Sequence, residues 1–210
     1  LICPKALRMT TATATSPRQR AARKLGHDGQ HHFFGYYNKS TWDRSGRYVL
    51  AQRTPWRDVL LRPDSQAEVG FSDLHDGDRF HARGSTRAWN WQMGSQLQWL
   101  DGAPGRQFIH NVRTERSDGL YPGFGAAICD ADTGATRVLP APIYVVAPSS
   151  QWALSVNYRR LYVTHETIGY SEPGGPFELP LAPADDGIWR MELDSGALRL
   201  LVSYAQLKAF

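Results

Sequence analysis

Three stretches of the chain share one pattern, a turn signal followed by alternating apolar and polar positions. They are "SGRYVLAQR" (Ser45–Arg53), "PGRQFIHNVR" (Pro104–Arg113) and "SSQWALSVNYR" (Ser149–Arg159). Alternation with a period of two marks a half-buried strand. A loop follows each stretch, and then a hairpin: "EVGFSDLHDGDRFHA", "GAAICDADTGATRVL" and "GIWRMELDSGALRLL". These hairpins turn on Gly77, Gly134 and Gly196, preceded by Asp, Thr and Ser. Glycine suits such turns because it takes a positive φ without steric cost. Ahead of each first strand lies a further candidate: "KSTWD", "SQLQWL" and "IYVVAP".

The unit is therefore strand, turn, strand, loop, strand, turn, strand, and it recurs at glycine spacings of 57 and 62 residues. This predicts an all-β chain, specifically a partial β-propeller of about three four-stranded antiparallel blades. The repeats cover about 39–83, 95–140 and 143–203, within a body spanning 27–210. A β-sandwich is the alternative. No helical stripe breaks the pattern, and "YAQLK" at the end reads as one helical turn or a linker. Rings close with roughly four to eight blades. Three blades would leave apolar radial faces open, so the expectation is the N-terminal part of a roughly six- to eight-bladed ring. The remaining blades would come from the same longer protein or from another chain.

Composition changes this picture only at the N-terminus. The net charge of +4 is concentrated in residues 1–26, which hold six Lys/Arg and no acid, leaving 18 bases against 20 acids elsewhere. That predicts a disordered basic tail on a nearly neutral body, not the basic face of a nucleic-acid binder. Apolar runs such as "PIYVVAP" are too short for a membrane span. Cys3 and Cys129 form neither a disulfide framework nor a metal-binding spacing, which suits a reducing, cytoplasmic location.

The segment "HFFGYYNKSTWDRSGRYVLAQR" resembles the first blade of the oligogalacturonate lyase family, a branch of the TolB-like propellers. His32 falls on that family's histidine, Tyr37 on a tyrosine and Lys39 on its lysine. "WDRSGRYVL" is similar to the blade's turn and strand, and "FSDLHDGD" to its hairpin, and the likeness fades after about Arg113. "FFG" replaces the family's residues after the histidine. The resemblance implies a carbohydrate-active propeller, a metal-assisted β-eliminating lyase acting on uronate-containing oligosaccharides. The family's Mn2+ ligands lie in later blades, outside this chain, so no metal ligand is assigned here. A non-catalytic propeller that binds glycans or proteins is the other reading.

Candidate site residues follow from both arguments. His32 is the candidate base, with Lys39 and Arg87 to neutralise a uronate carboxylate. Tyr36 and Tyr37 offer platforms for sugar faces, or fill space between blades. "RAWNWQMGSQLQW" sets Trp89, Trp91 and Gln92 among further amides, where rings stack on sugars or pack between blades. Asn157, Arg159 and Arg160 follow the third repeat's second strand, at the position of Arg53 and Arg113. A ring of arginines there would attract an oligosaccharide or another small anionic ligand. His27, His31 and His32 offer an i, i+4 spacing, but Gly29 between them argues against the helix that a metal site there would need.

Overall fold

A computed structural model describes residues 22–103, 106–115, 120–172 and 178–210. Most of the basic tail, with Cys3, and the Pro104–Gly105 turn signal lie outside the described residues. Three four-stranded antiparallel sheets make up most of the rest. The first contains β1 (His31–Phe33), β2 (Tyr48–Thr54), β3 (Ala67–Asp73) and β4 (Arg79–Thr86). The second contains β5 (Gln98–Trp99), β6 (Gln107–Arg113), β7 (Phe124–Asp130) and β8 (Thr136–Leu139). The third contains β9 (Val145–Val146), β10 (Trp152–Ser155), β11 (Gly187–Glu192) and β12 (Leu198–Ser203). Within each sheet the strands neighbour one another in chain order.

The three sheets are copies of one unit. The residue after each third strand donates its N–H to the start of the second: Leu74 to Arg47, Ala131 to Arg106 and Leu193 to Gln151, at 2.8–3.0 Å. Gly134 and Gly196 close their hairpins with the same bond, to Asp130 and Glu192. All three turn glycines have φ between 60° and 77°. The alternating pattern thus specifies both strand pairing and turn.

The sheets pack face to face in sequence. Leu50, Val69 and Phe71 of the first sheet meet Leu97, Trp99, Phe108 and Cys129 of the second. On its other face, Ile109, Ala126, Ile128 and Leu139 meet Ile143, Ala153 and Met191 of the third. Adjacent residues of one strand, Phe108 and Ile109, therefore serve opposite seams. This explains why "FGAAICD" runs apolar where a solvated strand would alternate. Each fully buried large side chain here contributes roughly 1.5–3 kcal/mol.

Side-chain amides then fasten the sheets together at their first strands. The Gln52 Oε1 on β2 accepts the Ser95 N–H at 2.8 Å, just ahead of β5. Asn111 on β6 does the same ahead of β9: its Oδ1 accepts the Ile143 N–H at 2.6 Å and its Nδ2 donates to the Ile143 carbonyl at 2.8 Å. Gln98 on β5 accepts the Val146 N–H at 3.0 Å. Trp99 Nε1 donates to the Thr41 carbonyl at 2.9 Å. The first strands of the second and third sheets, and the β1–β2 connection, therefore gather at one place. Gly94 is required there, because at φ 59° a Cβ would lie 2.6 Å from the Phe34 carbonyl and 2.7 Å from Gln52 Nε2. Gln96, two residues on, is buried and also takes a positive φ, 57°.

Two features depart from the sequence reading. The first strand of the first sheet is "HHF", ahead of the expected "KSTWD"; within that segment Trp42 makes only an isolated bridge to Val49. A helix, α1 (Tyr158–Thr164), follows β10, where none was expected. Asn157 caps it by accepting the Arg160 N–H, and Tyr158 is its buried residue. The closing "YAQLK" forms α2 (Tyr204–Lys208), capped by a Ser203–Gln206 capping box.

Asn111→Ala removes partners from the buried Ile143 N–H and the Tyr170 hydroxyl at once. Leaving such groups unsatisfied costs about 1–3 kcal/mol each. The expected loss is about 3 kcal/mol in urea unfolding, and a loss under about 1 kcal/mol would contradict the latch.

Candidate functional site

The β2–β3 loop, residues 55–66, borders two clefts. Trp89 and Trp91 lie in the β4–β5 connection and form one aromatic group with Phe33 and Trp56. Trp56 stacks on Trp89 at 5.9 Å, and Trp91 meets Trp89 edge-on at 4.9 Å. Both indole N–H groups hold the loop: Trp89 Nε1 donates to the Ser65 carbonyl and Trp91 Nε1 to that of Val59, each at 2.9 Å. Trp89 is buried, whereas Trp91 keeps a partly exposed ring. Trp56 was missed in the sequence because it stands alone in a loop, without the repeated rings that marked its partners.

Beside these rings lies a cleft of about 390 Å3. It is lined by Val59, Leu60, Leu61, Trp89, Trp91 and Tyr162, with Asn90, Gln92, Glu166 and Thr167 as polar members. The far wall comes from α1 and the segment after it. Two bonds fix that wall: Asn90 Nδ2 donates to the Gly169 carbonyl at 2.8 Å, and Thr167 Oγ1 to Gln92 Oε1 at 2.9 Å. Leu60 is 86% exposed at the lip. Among the described residues, one carboxylate and no Lys or Arg line this cleft.

A wider cleft of about 1150 Å3 opens on the other side of the same loop, around Arg53. Two cations line it, Arg53 and Arg62, and Arg53 is already matched: it donates to Asp28 and to Glu68, each at 2.7 Å. His32 Nε2 sits 2.8 Å from Asp28, and its ring rests edge-on against Phe80. Burial alone would raise the Asp28 carboxyl, but the hydrogen bonds from His32 and Arg53 prevail and hold it below the usual carboxylate range. Here His32 on β1 is a neighbour of an ion-pair cluster formed by Asp28, Arg53 of β2 and Glu68 of β3.

The remaining expected site residues are spread apart. Tyr36 and Tyr37 pack with tilted rings 4.2 Å apart in the β1–β2 connection, and Tyr37 is largely exposed. Lys39, in the same connection, lies 4.9 Å over the Tyr144 ring. These three stand towards the end of the first sheet where β2 begins. Arg87 leaves β4 at the opposite end, exposed, its carbonyl accepting from Arg113 Nε at 3.1 Å. Asn157 serves as the α1 cap and donates to Asp186 at 2.9 Å. Arg159 donates to Glu172 at 2.9 Å and Arg160 to Asp186 at 3.3 Å. Arg113 also donates to the Ser171 carbonyl. The arginines expected to form an anion-attracting ring are thus engaged within the chain, and α1 moves Arg159 and Arg160 off the strand edge.

A pair the sequence did not suggest lies between the first and second sheets. His110 on β6 and Cys129 on β7 line a cavity of about 290 Å3. The Asn111 carbonyl, 3.1 Å from His110 Nδ1, accepts only from Nδ1–H, so Nε2 faces the Cys129 sulfur at 3.7 Å as an acceptor. Burial lowers the His110 pKa to about 4 and raises that of the Cys129 thiol, so both groups are neutral at pH 7. Among the described residues no group of three or more His, Cys, Asp or Glu side chains could hold a metal ion, and no helix is long and apolar enough to cross a membrane. Comparisons with protein-family models, curated proteins and solved structures gave no match to this chain.

His110 makes a prediction about pH. Its folded pKa of about 4 lies below the unfolded value of about 6.5, so the unfolded chain binds a proton that the folded chain refuses. The stability linked to His110 is complete above about pH 6.5 and is lost as pH falls towards 4. His110→Leu should flatten the fall in urea-measured stability across that window, and an unchanged slope would show that His110 is not buried neutral.

Proposed function

We propose that the three sheets are consecutive blades of a TolB-like β-propeller, and that the Trp91 cleft binds the ring faces of an oligosaccharide. Three observations support the propeller. The sheets are copies of one four-stranded unit, they pack face to face in chain order, and the first strands of the second and third gather with the β1–β2 connection through the Gln98, Trp99 and Asn111 bonds. The outward side of the third sheet supplies half-buried Val145, Trp152 and Leu154, an apolar surface suited to a further blade of the ring.

The observation that carries the ligand reading is the pairing of a partly exposed Trp91 ring and Tyr162 with amide, hydroxyl and carboxylate groups around 390 Å3. Aromatic faces take the C–H surface of a pyranose, while Gln92, Thr167 and Glu166 suit its hydroxyls. The absence of Lys and Arg from this lining among the described residues favours a neutral saccharide over a uronate. Binding is favoured over β-elimination because His32, Lys39 and Arg87, the trio that elimination would need on one ligand, lie apart on the first sheet. Mn2+ chemistry belongs to the lyase reading, with ligands from other blades.

The test is calorimetric titration of the protein with neutral and uronate oligosaccharides, using Trp91→Phe and Trp91→Ala. A stacking ring contributes about 0.5–1.5 kcal/mol, so Trp91→Ala should weaken neutral-sugar binding about tenfold while Trp91→Phe retains most of it. Equal affinity in a folded Trp91→Ala protein would refute the cleft, and new absorbance near ~235 nm from a uronate substrate would favour elimination, whose base abstracts the proton beside the carboxylate.

A further inference from the structure

Lys39 carries a buried nitrogen that neither the sheet latches nor the Trp91 cleft uses. Its Nζ is shielded from solvent and makes no hydrogen bond among the described residues. The side chain lines a cavity of about 210 Å3 with Ser40, Trp42, Trp99 and Asp101. An ammonium withdrawn from water without a bonded counter-charge is costly, and the group responds by releasing its proton. Burial accordingly lowers the Lys39 pKa. The Tyr144 face, 4.9 Å away, favours the cation, but such a contact is weaker than the hydration lost.

The residue type is telling. Elsewhere the chain stacks arginine on its rings: Arg47 and Arg106 on Tyr48, Arg53 on Phe80 and Arg190 on Trp152. Arginine keeps its proton in proteins, whereas lysine can give it up. Arg106 and Arg190 also bury an Nε without a hydrogen bond, but each pairs with a carboxylate, Asp132 and Glu192, whereas the buried Lys39 Nζ pairs with none among the described residues.

We propose that Lys39 is a carbonyl-binding site whose amine takes a small aldehyde or ketone, seated in the adjoining cavity, as an imine. The nitrogen lone pair forms the C–N bond to the carbonyl carbon. Both amine protons then leave with the carbonyl oxygen as water, so no oxidant or reductant is consumed. Trp42 and Trp99 supply apolar walls, while Ser40 and Asp101 suit the hydroxyls of a small hydroxy-aldehyde. The site stands apart from the Trp91 cleft, and neither reading depends on the other.

The chain has four lysines, Lys5, Lys24, Lys39 and Lys208, which makes the test clean. The full chain is treated at neutral pH with glycolaldehyde and cyanoborohydride, which traps imines, and labelled lysines are mapped by mass spectrometry. A lowered pKa raises the free-amine fraction at neutral pH. Lys39 should be labelled severalfold faster than Lys24 and Lys208, and that preference should vanish in urea. Labelling of Lys39 no faster than the other two, or a preference that survives unfolding, would overturn the proposal.

Discussion

The fold depends on one buried side chain more than on any other, the amide of Asn111. A primary amide carries two donors and an acceptor with two lone pairs, and a buried one must place them all. Asn111 binds the N–H and carbonyl of Ile143 and the hydroxyl of Tyr170. Its backbone is equally engaged: the N–H donates to the Ser95 carbonyl and the carbonyl accepts from Thr86 Oγ1. One residue in the middle sheet thereby ties the end of the first sheet, the β4–β5 connection and the approach to the third sheet. Apolar seams hold the sheets together without direction, and the amides set how they meet.

That arrangement positions the surface chemistry. With the first strands gathered, the long β2–β3 and β10–β11 insertions are brought to one end, where the loop pinned by Trp89 and Trp91 faces α1 and the segment behind it. Tyr158 extends the same network, donating to the Ile143 carbonyl at 3.0 Å and stacking on Tyr170 at 4.2 Å. The helix that forms a wall of the cleft is thus anchored at the residue that Asn111 grips. Arginines, by contrast, mostly hold the scaffold: Arg47 fixes Asp73, whose carboxyl is held down at about 2, and Arg137 clasps the Leu193 and Asp194 carbonyls of the next sheet.

Much of the fold was legible in the sequence, because strand alternation and turn glycines are local signals. "SGRYVLAQR" and its two cousins gave β2, β6 and β10, and each following hairpin gave a third and fourth strand. The latches were not legible. Gln52 in "YVLAQR" and Asn111 in "FIHNVR" occupy places in the alternation that a solvated polar residue would fill, yet both are fully buried. A period of two tells which faces differ and not what covers them. The helix α1 escaped because its seven residues offer one buried side chain and no apolar stripe. Likewise the charge pattern identified Arg53, Arg113, Arg159 and Arg160 but not their partners, which come from distant segments.

The central claim is that side-chain amides of one sheet hold the backbone of the next. Hydrogen exchange at three amides reads this directly: Ser95, Ile143 and Val146, whose N–H groups are accepted by Gln52, Asn111 and Gln98. None of these three bonds is made within the strand ladders, so nothing in ordinary sheet pairing supplies the protection. The account predicts that all three exchange as slowly as the interior amides of β6 and β7, near the global unfolding limit. Exchange at the rate of an exposed loop would mean that the sheets are not fastened at their first strands.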